Sequence, residues 1–166
     1  MIKTNYKVDR ININDIKKTK YGLKALIYLA RQYDKGPILI ADLAHEENIP
    51  KKFLEAILLA LKNNGILQSK KGKGGGYYLA RHPKTITFGQ AIRIMEGPLA
   101  PVPCVSETSY AKCTECGNEM TCGIRFVMKD VRDAMAKILD GTSLADVLEQ
   151  IDSAEDAQKG VLNFCI

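Results

Sequence analysis

A short amphipathic stretch, a break and a longer amphipathic stretch, with a glycine-rich hairpin pattern directly behind them, predict a mainly α chain with a small β-wing. A long apolar stripe later in the sequence adds an extended helix. The fold class that joins these observations is a winged helix-turn-helix followed by a long dimerisation helix. Residues 1–15 are polar and basic, with Ile2, Val8, Ile11 and Ile13 scattered among them, and read as a flexible N-terminal arm, solvated or laid on DNA.

From Ile16 the pattern becomes helical. Tyr21, Leu23, Leu26, Ile27, Leu29 and Ala30 recur at three- and four-residue spacing, and Asp34-Lys35-Gly36-Pro37 stops the run. A short helix is expected over 40–47, with Leu43 and Ala44 inward, and Asn48-Ile49-Pro50 breaks it. A longer helix follows over 51–64, burying Phe53, Leu54, Ile57, Leu58 and Leu61, and Asn64-Gly65 supplies a left-handed stop. An ordinary helical hairpin would show the same pattern. The hairpin behind it is more specific: strands over 66–69 and 77–80 flank the tip Lys70-Lys71-Gly72-Lys73-Gly74-Gly75-Gly76. Glycines there let the backbone approach another surface closely, and the lysines supply charge suited to phosphates or a minor groove. A nucleotide-cradling glycine loop is disfavoured, because a strand-like Tyr-Tyr-Leu run follows instead of a helix N-terminus.

A further short helix is expected over 85–97, from a threonine cap to Gly97-Pro98. Pro98, Pro101 and Pro103 then force an irregular segment into the cysteines. The long helix is expected over 124–139, where Ile124, Val127, Met128, Val131, Ala134, Met135 and Ile138 form one stripe that fits a twin across a dimer interface. The run TSLADVLEQI adds one more short helix, and the last fifteen residues read as a loosely held tail. The resulting organisation is an arm at 1–15, a DNA-binding domain at 16–97, a cysteine-rich loop at 98–123, a dimerisation helix with its short successor at 124–151, and a tail at 152–166.

With 166 residues, 46% hydrophobic and 26% charged, the chain can form an ordinary core. No apolar run approaches the roughly 20 residues of a membrane helix, and the opening MIKTNYKVDRININ lacks a secretory pattern, so the cytoplasm is the expected location. Charge is divided unevenly: residues 1–84 hold 17 Lys+Arg against 7 Asp+Glu, while residues 85–166 hold 7 against 12. The basic half therefore fits a polyanion, since each neutralised phosphate releases counterions.

Cys104, Cys113, Cys116 and Cys122 follow the pattern C-x8-C-x2-C-x5-C in a loop broken by proline and glycine. Thiolates are soft ligands for zinc or iron–sulfur clusters, and with only one C-x2-C knuckle the spacing leaves zinc, a cluster and a bare thiol switch all open. Cys165, near the last residue, reads as an uninvolved thiol. His45 and His82, the only histidines, stand in no recognisable nucleophile motif and read as surface residues. No paired-carboxylate or nucleophile-elbow signature is present, which argues against an enzyme.

The runs KTKYGLKALIYLA (18–30), ADLAHEENIPKKFLEAILLALKNNGIL (41–67), SKKGKGGGYYLAR (69–81) and ITFGQAIRIMEGP (86–98), followed by a cysteine loop and a long helix, resemble the Rrf-two transcription regulators, which include the IscR, NsrR, RirA and CymR types. The resemblance spans about 19–148, and the glycine-rich wing with its GGGY is its most specific part. It implies a homodimeric winged-helix repressor on palindromic double-stranded DNA. In many members a three-cysteine loop holds a 2Fe–2S or 4Fe–4S cluster whose loss or modification changes DNA binding. Cys104, Cys116 and Cys122 fall where those cysteines would, and Cys113 is an addition. Where some members place a histidine ligand this chain has Arg125, and where others draw a carboxylate from the partner's first helix it has Lys20. Neither binds iron well, so Cys113 is the first candidate for a fourth ligand, followed by Glu107 and Glu115. Lacking the triad, members of the CymR type work through a protein partner.

The expected function is thus a DNA-binding repressor that senses iron–sulfur, nitric oxide or redox status. The alternatives are a structural zinc site, or a regulator of cysteine metabolism controlled by a protein partner. Lys51 and Lys52 would meet phosphates or base edges, and Glu55 on the same helix face would accept from a cytosine amino group. Lys71 would enter the minor groove, with Lys70 and Lys73 steering to phosphate and Gly74, Gly75 and Gly76 permitting close approach.

Overall fold

The computed structural model describes residues 13–162. Eight elements follow in order: α1 (Ile13–Arg31), α2 (Ile40–Glu46), α3 (Lys51–Asn63), β1 (Leu67–Lys70), β2 (Gly76–Leu79), α4 (Phe88–Glu96), α5 (Gly123–Gly141) and α6 (Leu144–Leu162), with single 3₁₀ turns at Pro83–Thr85, Pro103–Val105 and Glu119–Thr121. The expected arm and Cys165 lie largely or wholly outside the described residues.

Helix α1 is the central strut, packing on α3, α4, α6 and β2. Its inward residues Ala25, Leu26, Leu29 and Ala30 are buried against Leu54, Ile57, Leu58 and Leu61 of α3 and Leu43 of α2. Helix α2 ends because Asn48 adopts a left-handed φ of 51°, and Ile49 donates back to the Ala44 carbonyl at 2.9 Å. Pro50 then stands at the N-cap of α3, where no backbone N–H is needed. The far end of α3 closes as Asn64-Gly65 foretells: Gly65 has φ 73°, its N–H reaches Lys62 O, and Ile66 N–H reaches Leu61 O at 3.0 Å. Ile66 is therefore spent on the helix stop, and the first strand starts one residue later than expected.

Strands β1 and β2 pair antiparallel, Leu67 opposite Leu79 and Lys70 opposite Gly76. Ile38 adds a bridge to Tyr77 through hydrogen bonds of 2.9 and 2.8 Å, which fixes the wing to the α1–α2 loop. The alternation of a strand puts Leu67 and Leu79 on the core face and leaves Gln68, Lys70 and Tyr78 on the other. Thr87 caps α4 by accepting from Gln90 N–H, so the helix starts at Phe88, three residues later than expected, because Thr85 belongs to the separate Pro83–Thr85 turn.

Three expectations are corrected. Phe53 is not a core residue: it is 36% exposed and meets Tyr21 of α1 edge-on at 5.7 Å. Helix α1 begins at Ile13, ahead of the first apolar repeat. The C-terminal helix is not short, because α6 runs on to Leu162 without a loosely held tail over its described part. Arg31 of α1 pairs with Glu155 at 3.1 Å and reaches Asp152 at 3.8 Å. That polar extension has no apolar stripe, so periodicity could not announce it.

Candidate nucleic-acid interface and cysteine loop

The start of α3 and the wing tip carry the lysines the sequence singled out. Lys51, Lys52 and Glu55 are exposed at the first turns of α3, with Glu55 between the two lysines around the helix. Lys70, Lys71 and Lys73 are exposed at the tip, and among the described residues none of these five lysines forms an ion pair within the chain. Their charge is therefore available to phosphate. Gly76 passes so close to the Ile38 carbonyl that an added Cβ would collide with it, and a Cβ on Gly75 would strike the Lys70 and Gly72 carbonyls. These two glycines thus shape the tip, whereas Gly74, with φ 74°, is exposed and open. Sequence reasoning passed over Leu59, 51% exposed on the outward face of α3. A cleft of about 470 Å³ at the wing root is lined in part by Tyr33, Asp34, Lys70 and Tyr78, and by none of the cysteines.

The loop after α4 places the four cysteines unequally. Cys104 is buried in the Pro103–Val105 turn, which packs on α5. Cys116 and Cys122 lie with their Sγ atoms 3.5 Å apart. Donating toward Cys113 first and Cys122 second keeps the proton on the Cys116 thiol and pushes it up to about 12. The Cys122 thiol is held below its ordinary range, first by the Arg125 backbone amide at the amino end of α5, then by Cys116. Glu119 accepts the Tyr110 hydroxyl at 2.9 Å to both carboxylate oxygens, and stands 3.8 Å from Arg125. So the structure brings Cys116 and Cys122 together and buries Cys104 in its turn. Among the described residues no three Cys, His, Asp or Glu side chains are arranged to hold a metal ion.

The donor chemistry nonetheless fits a thiophilic centre. Thiolates bound to one metal at about 2.3 Å stand about 3.8 Å apart across a tetrahedral edge, close to the Cys116–Cys122 spacing. A free thiol kept low at a helix N-terminus is already biased toward the anionic form that ligates. His45 is almost fully solvent-exposed, and His82 caps the Pro83–Thr85 turn by accepting from Lys84 N–H at 3.2 Å, so neither histidine enters this loop.

Sequence reasoning missed a set of charges behind the loop. Arg132 of α5 is 8% exposed and pairs with Glu107 and with Asp133. Arg93 of α4 grips Asp140 of α5 through two bonds of 2.5 and 2.8 Å. No spacing rule joins residues so far apart in sequence.

On the other side of α5 the apolar stripe is bare: Ile124 is 68%, Val127 58%, Val131 40% and Ile138 66% exposed. Among the described residues, no helix is long and apolar enough to cross a membrane.

These features have close counterparts among known proteins. The family Rrf2, described as iron-dependent transcriptional regulator, matches residues 16–150. CymR, an HTH-type transcriptional regulator of Bacillus subtilis, is 33% identical over 140 residues, covering 84% of this chain and 93% of the relative. NsrR, an HTH-type transcriptional regulator of Geobacillus kaustophilus, is 30% identical over 131 residues, covering 79% and 84%. Among solved structures, CymR, the global cysteine regulator of B. subtilis, superposes with a TM-score of 0.67 at 32% identity, covering 80% of this chain and 94% of that one. T. potens IscR gives 0.66 at 28% identity, covering 82% and 87%. The winged helix with its unpaired lysines and the match across most of the chain agree: this protein belongs to the Rrf2 family, and is a DNA-binding transcriptional regulator rather than an enzyme.

Proposed function

We propose that this regulator is a homodimeric repressor that grips a palindromic operator, and that its cysteine loop holds an iron–sulfur cluster whose state sets the strength of the grip. The observation that carries the reading is the 3.5 Å approach of Cys116 and Cys122 at the amino end of α5, the helix whose opposite face is bare and apolar. Residues 16–97 act as the DNA-reading head, 98–123 as the sensing loop and 124–151 as the dimer seam. Cys116 and Cys122, with Cys104 and Cys113, are the proposed ligands. When bound, a cluster supplies a centre that responds to iron–sulfur supply, nitric oxide or oxidant.

The rest is work for the chain's own residues. Lys51 and Lys52 meet phosphates or base edges, Glu55 accepts from a cytosine amino group, and Lys71 enters the minor groove flanked by Lys70 and Lys73. Two heads must reach successive major grooves about 34 Å apart, so a small tilt at the seam costs affinity. The test is anaerobic purification with visible absorption, iron and sulfide analysis, and operator titration of loaded and stripped protein. Brown protein whose two forms differ in operator affinity is expected. Colourless protein with no change in affinity would end the sensing reading.

One observation favours a second reading. The described residues show no assembled group of three metal-binding side chains, and the CymR structure is as similar as the IscR one. On that reading the cysteines form a structural zinc knuckle or stay free, and a protein partner from cysteine metabolism controls DNA binding. Zinc content without colour, or a metal-free regulator answering only to added partner, identifies it.

A further inference from the structure

Glu107 stands three residues after Cys104, at the end of the buried run Cys104–Val105–Ser106. Its carboxylate pairs with the Arg132 guanidinium of α5, and the same side chain lies in the field of Arg93 from α4. Arg93, Glu107 and Arg132 line one cavity of about 20 Å³ together with Ser106 and Ala136. Arg93 in turn holds Asp140 of α5 by two bonds, in a space that exists because Gly89 has no side chain: a Cβ there would collide with the Asp140 carboxylate. One loop carboxylate thus touches the dimer-seam helix and faces the guanidinium that ties that helix to the DNA-reading domain.

The burial is one-sided. The Glu107 side chain is 73% exposed while that of Arg132 is 10% exposed, and the Arg132 Nε has no partner at all. Asp133 of the same helix holds the other guanidinium nitrogen at 2.8 Å, so among the described residues Glu107 is the ion-pair partner that joins Arg132 to the loop, and Arg132 and α5 follow Glu107 when the loop moves. The exposed Glu107 can shift with the loop at little cost to itself.

From this we infer that Glu107 is a positioning residue: it transmits the state of the cysteine loop through Arg132 to α5, and through the Arg93–Asp140 pair to the DNA-reading head. The inference rests on the sensing reading above and deepens it. Glu107 is accordingly a link and not a metal ligand, although a carboxylate near Cys104 would also suit a ligand role.

The experiment compares wild type, Glu107→Gln, Arg132→Lys and the control Glu149→Gln on the exposed face of α6, each purified anaerobically in loaded and stripped form. Operator affinity, iron and sulfide content, visible spectrum, dimer state and melting temperature are recorded. Coupling energies of this kind usually correspond to ratios of about 5–150-fold, and the wild-type loaded-to-stripped affinity ratio is expected in that range. Glu107→Gln is expected to keep its cluster and dimer state, with a modest drop in melting temperature because Asp133 still compensates Arg132, while the ratio falls to within about twofold of unity and Glu149→Gln leaves it unchanged. Arg132→Lys, which keeps charge but loses the planar fork, is expected to weaken the ratio partly. A ratio fully retained in Glu107→Gln would overturn the link, and loss of iron in that variant would make Glu107 a ligand and overturn it too. Were wild type itself to show no difference between its forms, the sensing reading would fall first and the link with it.

Discussion

Asp140 and Asp146 show how single carboxylates anchor this chain. The Arg93 guanidinium holds Asp140 below the usual carboxylate range, and the Ser143 backbone N–H, then its hydroxyl, hold Asp146 below it too. Ser143 and Asp146 cap each other reciprocally at the start of α6, with bonds of 2.8 and 3.2 Å. A depressed native pKa stabilises the fold above the unfolded value of about 3.9 and loses that contribution as pH falls through the native value. Asp140→Asn is therefore expected to melt below wild type at pH 7, with a narrower gap at pH 3, below the unfolded value of about 3.9. Circular dichroism melts at both pH values check this, and an undiminished gap under acid would refute the assignment. In the core, Leu54→Ala removes a fully buried side chain where α3 meets α1, and a loss of about 2–5 kcal/mol in chemical denaturation is expected.

The wing is the element whose chemistry was most legible. Lysines between glycines announced a cationic tip, and the structure leaves those lysines unpaired among the described residues. Lys71→Ala is expected to weaken operator binding and reduce the log–log salt slope by about one, because one phosphate-side contact is lost. Anisotropy titrations over a salt series measure both, and an unchanged slope would remove Lys71 from the interface. Gly76→Ala is expected to do harm of another kind, since its Cβ would strike the Ile38 carbonyl and break the bridge that fixes the wing to the α1–α2 loop. It should lower both stability and affinity, whereas Lys71→Ala should leave the melting temperature in place. Helices α2 and α3 were also readable, because Asn48, Pro50 and Gly65 each punctuate them by local chemistry. Phe53 was misjudged for a related reason: it lies at the margin of the buried stripe, where periodicity places a side chain without saying how far the neighbour covers it.

For the whole molecule, the bare stripe on α5 carries the largest consequence. Four large apolar side chains on one helix face, each 40% or more exposed, suit burial against a second copy. Val131→Glu is expected to give monomers in analytical ultracentrifugation and to lower operator affinity steeply, while the winged-helix core remains folded by circular dichroism. A dimer that survives this change would move the seam elsewhere. The division of charge fits the same plan: Lys51, Lys52, Lys70, Lys71 and Lys73 lie on α3 and the wing, whereas residues 85–166 are net acidic.

Everything set by short-range rules was fixed along the chain: the helix-turn-helix spacing, the wing, the threonine cap and the apolar period of α5. These depend on neighbours within a turn or two. Tertiary structure alone decided which thiols meet, since the path of a proline-broken loop brings Cys116 to 3.5 Å from Cys122. It also decided that α6 persists past its apolar portion, held by Arg31 from the opposite end of the chain, and that Arg132 is buried against Glu107. Burial and ion pairing across long sequence separations are properties of packed surfaces, and no local pattern of residues encodes them.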